Sequence, residues 1–158
     1  MANHPNLVRT PLTVVTSISE FLSLSSAVPE IVFDEDTTGT ETEGALDFSR
    51  FYKVKRIVFM DYSFSYAYRV EISSLNELES VVVGTNSLTQ NVDSYPVFTM
   101  TSRQFYLKNC PKLKSLEVGA YSFHEYSVIE IENVDALEVI EMGDRVFVYA
   151  SLIMKSEE

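Results

Sequence analysis

Leu113-Lys-Ser-Leu116-Glu-Val118-Gly119-Ala-Tyr-Ser122-Phe123 decides the fold, because it returns along the chain. It comes back as Leu137-Glu-Val-Ile140-Glu-Met142-Gly143-Asp-Arg-Val146-Phe147. Upstream it reads Leu78-Glu-Ser-Val81-Val-Val83-Gly84-Thr-Asn86-Ser87-Leu88 and Val54-Lys-Arg-Ile57-Val-Phe59-Met60-Asp-Tyr-Ser63-Phe64. A degraded copy opens at Val28-Pro-Glu-Ile31-Val-Phe33-Asp34. Successive copies start 26, 24, 35 and 24 residues apart, so the period is 24 with one insertion of 11. Self-similarity at a fixed period of this length is the signature of a stacked repeat.

Each copy has a second half with its own alternation: Leu46-Asp-Phe48, Val70-Glu-Ile72, Phe105-Tyr-Leu107 and Ile129-Glu-Ile131. Three positions on stands a further core candidate: Phe51, Leu75, Cys110 or Val134. Alternation over such short runs predicts half-buried strands. Two short strands and two turns per period describe one coil of a solenoid, which buries its apolar row only by stacking on its neighbours. The expected fold is a β-rich solenoid of about five coils, each with two short parallel strands. The coils lie near 28–53, 54–77, 78–112 (with the insertion), 113–136 and 137–158. Glycine at the seventh position of three copies, Gly84, Gly119 and Gly143, predicts a turn with positive φ. The second position alternates in sign, Lys55, Glu79, Lys114, Glu138, as cross-strand pairing favours. The position before each copy reads Lys53, Glu77, Lys112, Ala136.

Leu78-x-x-Val81-x-Val83-x-x-Asn86-x-Leu88 fits the leucine-rich-repeat pattern L-x-x-L-x-L-x-x-N-x-L at every defined position. The block Val118-Gly119-Ala-Tyr-Ser122-Phe123 resembles the Ile-Gly-x-x-Ala-Phe block of the irregular, BspA-like leucine-rich repeats. The resemblance covers about 28–156. It implies a leucine-rich-repeat solenoid and a protein-binding or adhesive role, since such repeats abound in bacterial surface antigens and large protist families. Tyr62, Tyr121 and Arg145 stand where the family has asparagine, so Ser63, Ser87 and Ser122, one position later, are expected to serve the turn backbone.

Residues 1–27 are not a repeat and read as an N-terminal cap. Ser17-Ile-Ser-Glu20 is a capping-box pattern. It opens a short helix with Ile18, Phe21, Leu22 and Leu24 on its apolar face, after a strand near 12–15. After Phe147 the chain runs through roughly one further strand and stops, leaving an expected bare end. Self-association through this uncapped C-terminal coil is the corresponding expectation.

The chain has 158 residues, a one-domain length, with 12 basic and 23 acidic side chains and a net charge of −11. That surface repels phosphate backbones and anionic membranes, so neither nucleic acid nor membrane is an expected partner. One cysteine and two histidines exclude an intrachain disulfide and a His- or Cys-rich metal site, and no cofactor is expected. The N-terminus lacks the features of a secretory signal, no apolar run is long enough to cross a bilayer, and no Asn-x-Ser/Thr occurs. A cytoplasmic location is the expectation, with surface display if the parent chain is longer.

The acidic loop at 34–43 places Asp34, Asp36, Thr38 and Gly39 as an EF-hand would, but Ala45 stands where the last glutamate belongs. A solvated loop is preferred. His124 lacks the neighbours that a catalytic triad needs. The outward row of the second strand reads Asp47, Glu71, Tyr106, Glu130, reminiscent of the acid clusters of β-helix polysaccharide lyases, but no arginine falls among these positions. The outward row of the first strand reads Val32, Val58, Val82, Glu117, Glu141, a valine stripe turning acidic. It suits a protein partner with an apolar patch beside a basic one. The insertion adds Tyr95 and Phe98, and Tyr62, Tyr66, Tyr68, Tyr121 and Tyr126 suggest an aromatic edge around the turns. The expected function is non-catalytic protein binding through Arg56, Val58, Val82, Glu117, Glu141, Tyr95 and Phe98. The alternatives are a structural or adhesive unit of a longer array and, behind it, a carbohydrate-active enzyme using Glu71 or Glu130.

Overall fold

The structure, a computed structural model, describes residues 13–35, 45–64, 67–89, 103–123, 126–146 and 151–155. Along them run β1 (Thr13–Val15), α1 (Ile18–Ser23), β2 (Glu30–Phe33), β3 (Ala45–Asp47), β4 (Arg56–Phe59) and β5 (Arg69–Ser73). There follow β6 (Ser80–Val83), β7 (Arg103–Lys108), β8 (Ser115–Val118), β9 (Tyr126–Glu132), β10 (Val139–Met142) and β11 (Ser151–Lys155). The strands form two parallel sheets, ordered β1-β2-β4-β6-β8-β10 and β3-β5-β7-β9-β11. From β2 onward the chain alternates between them. Parallel neighbours need a long crossover, and here the strand contributed to the opposite sheet supplies it.

The register follows the repeat. Ile31, Ile57, Val81, Leu116 and Ile140 pair in succession across the first sheet. Leu46, Val70, Phe105, Ile129 and Leu152 do so across the second. The insertion leaves this order intact, since β5 pairs directly with β7 and β6 with β8. Inward residues of both sheets form one buried core, which includes Phe51, Leu75, Cys110 and Val134. Cys110 is fully buried; burial pushes its thiol pKa up, which suits an inert apolar position.

The glycines serve a different purpose from the one expected. Among the described residues no glycine has positive φ. A Cβ on Gly119 would lie 2.6 Å from Thr85 N and 2.7 Å from the Gly84 carbonyl carbon. On Gly143 it would lie 2.6 Å from Ala120 N, and on Gly84 2.7 Å from Asp61 N. Glycine is there because consecutive copies approach too closely for a side chain. The left-handed conformation falls two residues later instead, on Tyr62, Asn86, Tyr121 and Arg145, with φ of 62°, 55°, 64° and 57°. Each of the first three sends its N–H to the next copy: Tyr62 to Thr85 O, Asn86 to Ala120 O and Tyr121 to Asp144 O.

Behind that corner Ser87 and Ser122 act as expected, and Ser63 does not. Ser87 Oγ donates to Met60 O at 2.6 Å and Ser122 Oγ to Gly84 O at 2.6 Å. Ser63 Oγ is buried and has no hydrogen-bond partner. An asparagine ladder does occur, but at the other corner, after the second strand. Asn109 and Asn133 are left-handed there, and Asn133 Nδ2 donates to Asn109 Oδ1 at 2.8 Å. The lysine–glutamate alternation is realised in part: Lys112 pairs with Glu77 at 3.0 Å. The row Lys55, Glu79, Lys114, Glu138 joins through backbone hydrogen bonds, and its exposed side chains form no ion pair among the described residues. Long exposed chains gain little by pairing in water.

At the N-terminal end β1 pairs with β2 and α1 covers the core. The Glu20 N–H donates to Ser17 Oγ at 3.2 Å, while the Glu20 carboxylate accepts from Thr16 N at 2.6 Å and Thr16 Oγ1 at 2.9 Å. The box thus closes one residue further back than the usual pattern. Only Ile18 and Phe21 of the helix are buried; Leu22, expected on the apolar face, is 65% exposed. A six-residue helix turns too little chain inward for more, and Phe21 alone touches Phe33, Phe48 and Phe51. Arg50 ties the helix down by donating to the Leu24 and Phe21 carbonyls at 2.6 and 2.8 Å.

Candidate binding surface

Side chains of β2, β4, β6, β8 and β10 point alternately into the core and away from it. Val14, Val32, Val58, Val82, Glu117 and Glu141 are successive register partners, so the valine stripe and its acidic end form one continuous row. Val14 is a member that sequence reading missed. It is 47% exposed, the most open valine of the row. The strand expected near 12–15 is the sequence signal for it, and the pairing of Val14 with Val32 places it in the row. Val32 is only 9% exposed and Val58 and Val82 are half-buried, so the stripe is flatter and more shielded than its composition suggests.

Beside this row runs a second one: Glu30, Arg56, Ser80, Ser115, Val139. Arg56 pairs with Glu30 at 3.3 Å and keeps half of its side chain exposed. On the other flank stand Gly84 and Gly119. Val82 and Glu117 thus stand between small residues, Ser80 and Ser115 on one side and the glycines on the other. Tyr95, Phe98 and His124, and residues 36–44 of the acidic loop, lie outside the described residues. Among the described residues no group of three or more His, Cys, Asp or Glu is placed to hold a metal, and no helix is long and apolar enough to cross a membrane.

The aromatic edge is redistributed. Tyr126 is fully buried and donates from its hydroxyl to Ala67 O at 2.6 Å, so it belongs to the core. A phenol so deep needs a partner, and the Ala67 carbonyl provides it. Tyr62, Tyr68 and Tyr121 are exposed, and Tyr66 lies outside the described residues.

The outward face of the second sheet is a web of paired charges. No arginine stands in the row itself, but Arg69 sits two residues before Glu71 on β5 and so shares its face. Arg69 pairs with Glu71 at 3.0 Å, donates to Gln104 at 3.1 Å and lies 5.1 Å from the Tyr106 ring centre. Lys108 flanks the same ring at 4.8 Å and pairs with Glu130 at 2.6 Å and Glu132 at 3.7 Å. The Glu130 carboxylate, helped by Glu132, holds the Lys108 ammonium above the ordinary lysine range. Glu71 and Glu130 are each paired with a cation on this face. Comparison with protein-family models, with curated proteins and with solved structures finds no match. Any functional reading therefore rests on these side chains.

The sheets end unequally. Ile140 and Met142 take the register positions of buried Leu116 and Val118, and Met154 that of buried Ile131. Yet Ile140 is 42% and Met154 50% exposed, because β10 and β11 have a neighbour on one side only. No sequence signal separates these residues from their buried counterparts.

Proposed function

We propose that the chain is a leucine-rich-repeat solenoid of the irregular, BspA-like type, with about five coils, acting as a non-catalytic protein-binding module. The observation that carries the reading is the unbroken outward row of the first sheet, four valines followed by Glu117 and Glu141. A flat strip that is apolar at one end and acidic at the other selects a partner with the complementary pattern, since charge sets orientation and apolar area sets the strength of the contact. Arg56, already engaged by Glu30, serves as a rim residue. Tyr95 and Phe98 remain proposed contributors.

Affinity capture with wild-type chain and with Val82→Arg/Glu117→Arg, followed by mass spectrometry, tests the face. Both positions point outward from their strands, so the double variant keeps the wild-type circular dichroism. Loss of a captured protein supports the reading. Retention of the same proteins by both baits removes this face from it.

One observation favours a second reading, a structural or adhesive unit whose contacts are its own ends. Ile140, Met142 and Met154 present apolar side chains beside two strand edges, an arrangement that invites strand addition. Light scattering across a concentration series distinguishes it: growth in mass that Ile140→Lys abolishes favours the end-to-end unit. A cytoplasmic location goes with the first reading, and display at a surface with the second.

A further inference from the structure

Tyr62, Asn86, Tyr121 and Arg145 occupy the same position in four successive copies, three residues beyond register partners Phe59, Val83, Val118 and Met142. All four are left-handed, with φ between 55° and 64°. Asparagine enters this region at low cost, whereas an aromatic residue there is a strained choice. Two of the four are nonetheless tyrosines, and their rings are not used for packing: Tyr62 is 57% and Tyr121 44% exposed. Phe64, Leu88 and Phe123, two residues further on, are left-handed as well but fully buried, so exposure is what sets the two tyrosines apart.

The polar side-chain groups of the column are also left to solvent. Among the described residues, the Tyr62 and Tyr121 hydroxyls and the Asn86 side-chain amide make no hydrogen bond, although the three backbone N–H groups all do. The two rings lie two strand steps apart, roughly 9–10 Å along the stack. Between them, on the middle copy, stands the half-buried Asn86. Asp61 and Asp144 flank the column and outweigh Arg145, which disfavours an anionic ligand.

We propose that this corner binds a neutral, extended β-1,4-linked glycan running along the stack. In such a ribbon alternate sugar rings present the same face, at a step close to that of the two tyrosines, so two rings stack while the ring between them meets the Asn86 amide. A rigid ladder of evenly spaced platforms matches a ligand that has its own translational repeat. The site differs in place and in ligand from the first-sheet face and does not depend on protein binding there.

The test titrates the purified chain with cellohexaose, chitohexaose and xylohexaose by calorimetry, against Tyr62→Asn/Tyr121→Asn. Asparagine suits the left-handed corner, so the variant keeps or raises its melting temperature and a loss of binding is not a loss of fold. One hexasaccharide is expected to bind, each single tyrosine replacement weakening it roughly tenfold. Val82→Arg leaves that binding unchanged, which separates this site from the protein-binding face. Failure of all three glycans to bind overturns the proposal, and so does binding that the double variant retains. If the double variant instead loses a captured protein, the column is part of a protein interface and the glycan site is rejected.

Discussion

The backbone N–H of Ser87 donates to Ser122 Oγ, 3.2 Å away in the next copy, inside the core. The same Ser122 hydroxyl donates onward to Gly84 O, so one side chain satisfies a donor and an acceptor that both belong to the copy before it. Serine here performs the service that asparagine gives at the other corner, where Asn133 reaches Asn109.

The serines therefore rank. Ser122→Ala removes the Gly84 carbonyl's partner and orphans the buried Ser87 N–H, and costs about 2–3 kcal/mol. Ser87→Ala loses the single bond to Met60 O and costs about 1 kcal/mol. Ser63→Ala, whose hydroxyl has no partner to lose, is neutral or slightly stabilising. Urea unfolding of the three variants checks the order, with unchanged slope of free energy against denaturant. A Ser63→Ala loss as large as that of Ser122→Ala contradicts it.

Gly119→Ala meets the backbone of Gly84 and Thr85 in the neighbouring copy, and these atoms have no rotamer to change. Overpacking of this kind costs about 1–3 kcal/mol, which lowers the melting temperature of a chain of this size by roughly 3–10 °C. Gly143→Ala meets a comparable contact at Ala120, but Gly143 follows the edge strand β10, which has no further strand paired on its other side among the described residues. Calorimetry should find the smaller loss at Gly143. Equal losses would show that the edge copy is held as firmly as the interior ones.

Acid should open the N-terminal cap first. Hydrogen bonds from the Thr16 backbone and hydroxyl hold the Glu20 carboxyl below the ordinary glutamate value. A group whose folded pKa is depressed contributes stability above its unfolded value, near 4.5, and loses it as pH falls through the folded value. The gap in melting temperature between wild type and Glu20→Ala is thus full at neutral pH and narrows below pH 4.5. Melts at a series of pH values measure it, and a gap independent of pH refutes the role of the charge.

How far the site was legible varies by residue. The row from Val32 to Glu141 could be written down from spacing alone, because residues related by the repeat must fall on register partners once copies stack. Val14 escaped because it lies before the first copy. Tyr126 and Tyr121 look alike as letters; one is wholly inside with its hydroxyl on Ala67 and the other stands out at a corner. Arg69 escaped because the outward row was read one residue per strand, whereas a face collects every second residue.

By itself the sequence determined the period, the inward and outward alternation and the order in which strands pair, since a repeat of 24 residues is a translational symmetry that stacking must respect. Only the tertiary structure decided what lies across the symmetry. Arg50 caps α1 from a strand corner, glycine is required by close approach and not by φ, the left-handed residues sit two positions further on, and Ile140 is exposed where Leu116 is buried. Each depends on the distance between groups that no spacing relates, or on whether a neighbouring strand is present at all.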